Sequence, residues 1–159
     1  MVKKEITIAY EEYSSVEEMT AEDRDLCRSA VEAIDGSYAP YSHFHTGAAV
    51  RLSDGTVVKG ANQENVAFPS GLCAERTAMF SAGASHPGLC MESIAVAARQ
   101  DGRLCTEPVM PCGACRQVMM QYQAKSGRPM SVILVGAEKI WKFERVDDIL
   151  PFLFSFNMV

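Results

Sequence analysis

Three cysteines carry the first chemical signal: Cys73 in the stretch LCAERTA, and Cys112 and Cys115 in PCGACRQV. The second pair sits one helical turn apart, directly after Pro111, so both sulfurs can face one ion near the positive end of a helix dipole. Taken alone, a Cys-x-x-Cys pair fits a redox dithiol, a metal site or two ordinary helix cysteines. Cys73 breaks the tie. It opens another predicted helix, and Glu75 follows two residues later, where its carboxylate can reach the same point without being a ligand. Three thiolates fill three tetrahedral positions on zinc and leave the fourth for water, as in catalytic sites; structural sites close all four. Zinc brings the pKa of such a water towards ~7, and a nearby carboxylate can take its proton and later return it to a substrate. Glu75 suits that shuttle. The competing reading is a non-catalytic structural-zinc or redox module, which has no use for a carboxylate at that place.

These side chains need elements to hold them. Thr20-Ala-Glu-Asp23 reads as the cap of a helix running to about residue 34, which Gly36 ends. Strands over 46–52 and 56–61 flank Ser53-Asp54-Gly55, the strongest hairpin signal in the chain. Periodicity predicts a helix over 73–84 with Met79 and Phe80 on its apolar side, a buried strand over 93–98 and a second helix over 112–124. Further strands are expected over 130–135 and 141–143, and the weak alternation of Ile6, Ile8 and Tyr10 suggests an edge strand. This order implies an α/β sheet covered by helices, its later strands parallel through right-handed crossovers.

The chain has 159 residues, enough for one domain that buries roughly 70% of its unfolded surface. The expected division is an N-terminal extension over 1–19 and a domain over 20–159. No apolar run approaches the roughly 18 residues of a membrane span, and MVKKEITIAY lacks a signal peptide's apolar segment, so a cytoplasmic location is expected. The six cysteines then read as core residues, ligands or catalytic groups and not as a disulfide framework. Cys27, Cys90 and Cys105 are assigned to packing, and His43, His45 and His86 lack ligand spacing. A net charge of −5, with no basic cluster beyond Lys3-Lys4, argues against a polynucleotide partner and favours a small neutral ligand.

The stretches YAPYSHFHTGAAV, GANQENVAFPSGLCAERTA, PCGACRQV and ILPFLF, in that order, closely resemble the small homotetrameric zinc-dependent cytidine deaminases. The resemblance runs from about Thr20 to Phe154. It implies a three-layer α/β/α fold with a mixed sheet of about five strands, and one zinc per chain on Cys73, Cys112 and Cys115. It also implies hydrolysis of cytidine and deoxycytidine with release of ammonia, Glu75 moving the protons. By the same resemblance Asn62 and Glu64 hold the ribose hydroxyls, Phe44 packs on the base and the Ala74 amide binds the ring carbonyl. Arg76 tempers the charge of the thiolates, and Phe154 reaches a neighbouring subunit's site. An aromatic plug of Phe152, Phe154 and Phe156 is the plainer reading of that tail. A modified aminopyrimidine nucleoside, such as a nucleoside antibiotic, is the alternative substrate. The chain departs from the family in having Met110 where a serine usually precedes Pro-Cys, and in a longer loop over 99–109.

Overall fold

Alternation along the strands sets the layers, because successive side chains leave a strand on opposite faces. In β2 (Phe44–Leu52), Ala48, Val50 and Leu52 join one buried cluster and Ala49 joins the other. In β4 (Met91–Gln100), Ile94 and Val96 divide from Ala95 and Ala97 in the same way. The computed structural model describes residues 1–154, so Phe156 lies outside the described residues.

The remaining strands are β1 (Glu11–Tyr13), β3 (Val57–Ala61), β5 (Arg103–Leu104), β6 (Ser131–Val135) and β7 (Ile140–Phe143). They complete one mixed seven-stranded sheet in the order β1-β7-β6-β4-β2-β3, with β5 paired to the end of β4. That is two strands more than the five or so that the family resemblance implies, and the parallel expectation holds only for β4 with β6. The β6–β7 pair is antiparallel, because only Gly136 to Lys139 separate the two strands, too few for a crossover. The first extra strand, β1, is the far end of the expected edge strand and pairs with β7, where Tyr10 stacks on Phe143 with centroids 5.4 Å apart. The second, β5, follows Asp101 and Gly102, whose φ angles of 51° and 75° build a two-residue hairpin turn. Part of the longer loop is therefore a sheet extension.

Helix α1 (Ala21–Ala33) covers one face through Leu26, Cys27 and Ala30, and its N-cap Thr20 accepts from the Asp23 amide. Asp23 is itself buried, and its carboxylate receives Arg51 of β2 at 3.1 Å and Lys142 of β7 at 2.9 Å. Burial pushes the Asp23 carboxyl up, but the Lys142 and Arg51 hydrogen bonds and charges overcome it and hold the group below its ordinary range.

Helices α2 (Ala74–Ser85) and α3 (Gly113–Ser126) cover the opposite face. Along α2, Ala74, Ala78 and Ala82 are buried at a four-residue spacing, which lets the helix lie close to the sheet. Gly60 of β3 completes that approach: a Cβ there would stand 2.3 Å from the Ala78 amide nitrogen. Met79 is fully buried, whereas Phe80, expected beside it, is exposed. One helical step of 100° turns the neighbour of a buried residue away from a flat contact.

Candidate active site

Both α2 and α3 begin at cysteines. Cys73 and Cys112 are their N-cap residues, and neither side chain caps its helix. Together with Cys115, one turn into α3, the three sulfurs lie within 4.8 Å of one another. Cys73 Sγ is 3.9 Å from Cys112 Sγ, which is 3.5 Å from Cys115 Sγ. Two sulfurs each ~2.3 Å from a tetrahedral zinc stand about 3.8 Å apart, so the trio fits that ion. The separations are far too long for a disulfide.

The electrostatics fit a cation as well. The Cys115 thiol and, against the cost of burial, the Arg76 guanidinium draw the Cys73 thiol down to about 5. Contact with Cys73, together with burial, pushes Cys115 up instead. The opposed directions follow from sulfurs in mutual contact, and a dication replaces thiol protons when thiolates bind it. Arg76 Nη2 donates to Cys73 Sγ at 3.7 Å, while Arg76 Nε is buried without a partner among the described residues. Glu75, the second residue of α2, is only 4% exposed. Burial holds its carboxyl above the ordinary range, and the Cys73 charge adds to that.

A cavity of about 470 Å³ opens over these groups, and Cys73, Glu75, Arg76 and the exposed Cys112 are among its lining residues. Phe44, Asn62 and Glu64 line it as well. Asn62 is held tightly: its Oδ1 accepts from the Thr46 amide at 2.9 Å and from Ser37 Oγ at 2.5 Å, and its Nδ2 donates to the Phe44 carbonyl at 2.8 Å. Glu64 accepts from the Tyr41 and Ser42 amides at 2.9 and 3.2 Å and from the Ser42 hydroxyl. Those bonds, Ser42 first, hold its carboxyl below the ordinary range. Both residues therefore organise the start of β2 at Phe44 and the loop that leads into it. Ala74 is buried at the first position of α2, so its N–H belongs to the helix's unpaired first-turn donors.

Phe154 stands apart. It is exposed, it does not line the cavity of its own chain, and its carbonyl accepts from Gln117 Nε2 at 2.9 Å. Sequence reasoning singled out Met110 but missed the apolar residues that line the cavity with it, Leu72, Val96 and Val109, as well as Tyr41 and Phe68. Tyr41 and Phe68 meet edge to face with centroids 5.7 Å apart. Val96 gives no signal in the sequence, since its strand reads as core throughout. Met110 does give one, standing two residues before Cys112.

The profile of the cytidine and deoxycytidylate deaminase zinc-binding region matches residues 20–128. The chain belongs to that deaminase family. Among relatives of this deaminase, a cytidine deaminase from Sporosarcina psychrophila is 38% identical over 130 residues, covering 82% of this chain and 89% of the relative. A cytidine deaminase from Halalkalibacterium halodurans is 44% identical over 96 residues, covering 60% of this chain and 68% of the relative. The crystal structure of cytidine deaminase from Burkholderia pseudomallei superposes with a TM-score of 0.71 at 38% identity, covering 86% of this chain and all of that one. The deaminase match also gives the thiol trio its metal: one zinc per chain fits Cys73, Cys112 and Cys115.

Proposed function

We propose that the protein is a hydrolase that converts cytidine and deoxycytidine to uridine and deoxyuridine with release of ammonia. The observation that carries the reading is the placement of buried Glu75 in one cavity with Cys73 and Cys112, two members of the three-thiol cluster, and with Asn62 and Glu64 lining the same cavity.

Cys73, Cys112 and Cys115 hold the zinc, whose Lewis acidity activates water for attack at neutral pH. Glu75 moves the protons. Its raised pKa suits a group that takes a proton from the attacking water and delivers it to the ring nitrogen next to the amine-bearing carbon, then takes the second proton from the hydroxyl now on that carbon and gives it to the amine as the C–N bond breaks and the carbonyl forms. Water enters, ammonia leaves, and Glu75 ends as it began. Arg76, on Cys73, offsets part of the thiolate charge that would otherwise oppose ionisation of the attacking water. The Ala74 amide, at the positive end of α2, receives the ring carbonyl.

Phe44 packs against the base, and Asn62 and Glu64 receive the ribose hydroxyls. The sheet-braced loop between Ser37 and Thr46 holds these groups before substrate arrives, so little ordering is left to binding. Assembly as a homotetramer is supported by apolar side chains left in water around the cavity mouth and at the tail, Phe68 at 74% exposure and Phe154 at 74%. Among the described residues no helix is long and apolar enough to cross a membrane. The test is metal analysis together with ammonia release from a panel of cytidine, deoxycytidine and modified aminopyrimidine nucleosides. About one zinc per chain with turnover of the first two is expected. Full activity in metal-free protein would sink the reading, and turnover of the modified nucleosides alone would move the substrate assignment to them.

A further inference from the structure

The two helices that carry the thiols begin without a side-chain cap, because the thiols of their N-cap residues converge on one another instead. A cap side chain normally accepts from the first turn and fixes how the chain runs into the helix. Here that anchor is missing, and each helix start is held from one turn further on. In α2, Thr77 Oγ1 donates to the Cys73 carbonyl at 3.1 Å. That bond is local, and its acceptor already receives the Thr77 amide at 3.1 Å. In α3 the anchor reaches outside the helix. Arg116 Nε donates to the Pro111 carbonyl at 2.7 Å, and Arg116 Nη1 donates to the Ile149 carbonyl at 3.0 Å.

Pro111 is buried and its carbonyl shares a rigid peptide plane with the nitrogen of Cys112. Fixing that carbonyl therefore fixes the backbone from which the Cys112 thiol projects. A guanidinium is planar, with donors at set angles, so two carbonyls gripped at once leave it one orientation. Ile149 closes the turn Val146–Ile149, which is bound to α3 a second time: Gln123 Oε1 accepts from the Val146 amide at 3.0 Å, and Gln123 Nε2 donates to Asp147 at 2.7 Å. Arg116 is thus fastened at its far end to a firm part of the fold.

We propose that Arg116 is a positioning residue for the zinc site: by gripping the Pro111 and Ile149 carbonyls it stands in for the missing cap of α3 and holds the Cys112 thiolate in place. The proposal rests on the reading that the thiol trio holds zinc. It distinguishes Arg116 from its neighbour Gln117, which donates to the Phe154 carbonyl and not to the ligand loop.

The experiment compares the zinc-loaded parent with Arg116→Ala, Arg116→Lys and Gln117→Ala. Two readouts are taken on folded protein: the rate of zinc release to a chelator, and the thiolate-to-metal charge-transfer bands after cobalt replaces zinc. Arg116→Ala should weaken zinc retention about 10-fold or more, the scale of lost outer-shell partners, and should shift the cobalt bands. Arg116→Lys, which keeps the charge but reaches one carbonyl at most, should fall between it and the parent. Gln117→Ala should match the parent in both. Parent-like zinc release and cobalt bands in folded Arg116 variants, whatever their melting temperature, would overturn the proposal and leave Arg116 a purely structural residue. Should Arg116→Ala not fold, the Lys variant decides alone by the same two readouts. A parent that binds no zinc overturns the functional reading itself, and this proposal with it.

Discussion

Asn62 and Phe44 are joined directly: the Asn62 amide donates to the Phe44 carbonyl at 2.8 Å. The residue proposed for the ribose therefore also sets the backbone of the residue proposed for the base. Asn62→Asp removes that donor and sets a carboxylate beside the carbonyl, leaving a partly buried acceptor unpaired. It should cost about 1–3 kcal/mol of stability and raise KM for cytidine. Urea unfolding and steady-state kinetics measure the two effects. A raised KM with parent stability would confine Asn62 to substrate contact.

The three thiols and Glu75 separate by what each variant keeps. Ala at Cys73, Cys112 or Cys115 should lose the zinc, because two sulfurs do not make the three-ligand site. Glu75→Gln should keep metal and fold while kcat drops by roughly 10²–10⁴-fold, the usual worth of a proton-transfer group. Near-normal turnover in that variant would place the proton shuttle elsewhere.

Away from the cavity, Asp23 gives the fold a pH-dependent contribution. Its carboxyl is 6% exposed and held between Arg51 and Lys142, and its folded pKa lies below the ordinary value. A depressed acid stabilises the fold fully above its unfolded pKa, near 3.9, and loses that contribution as pH falls through the folded value. Asp23→Ala should cost about 3 kcal/mol near neutrality, since two partly buried cations lose their partner. The gap between parent and variant should narrow below about pH 4. A gap that stays constant to low pH would mean the loss is one of packing.

The thiol site is legible in the sequence because its spacing is local: Cys73 with Glu75, and Cys112 with Cys115, each lie within one helical turn. The hairpin at Asp54-Gly55 is legible for the same reason. The Asp101-Gly102 turn carries the same dipeptide signal, but the strand it adds, Arg103–Leu104, is too short and polar to alternate. The clamp of Glu64 on Tyr41 and Ser42 joins groups more than 20 residues apart and involves backbone amides, which leave no trace in composition or periodicity. Arg116 is likewise invisible, since both of its acceptors are carbonyls.

The apolar surface left in water predicts assembly. Val66, Phe68, Phe152 and Phe154 are between 74% and 93% exposed, more apolar surface than a chain of this size leaves uncovered. Sedimentation should give four chains per particle, and Phe154→Ala should weaken substrate binding although its own chain's cavity lacks Phe154. Mixing Phe154→Ala with Glu75→Gln chains tests whether the residue acts on a neighbour. An active monomer would remove both the assembly and the shared site.

Charge at the cavity wall predicts which substrates are refused. Among the described residues the ionisable side chains that line it are Tyr41, Glu64, Cys73, Glu75, Arg76 and Cys112, and the one cation of that set, Arg76, donates to the Cys73 sulfur. That guanidinium is engaged by the thiol cluster, and a phosphate on a ribose bound as proposed would meet the Glu64 carboxylate, which its hydrogen bonds hold below the ordinary range. The net charge of −5 repels polyanions at longer range, but salt screens that part beyond about 10 Å while contact repulsion is screened far less. The two contributions therefore separate by ionic strength. Deamination of cytidine, cytidine 3′-monophosphate and a short single-stranded oligonucleotide, at low and high salt, should show turnover of the nucleoside alone in the parent. Glu64→Gln removes the contact charge and should admit some of the 3′-monophosphate, more at high salt, while raising KM for cytidine. Efficient deamination of the oligonucleotide by the parent would strip Glu64 of its assigned role and reopen the question of what binds the outer cavity.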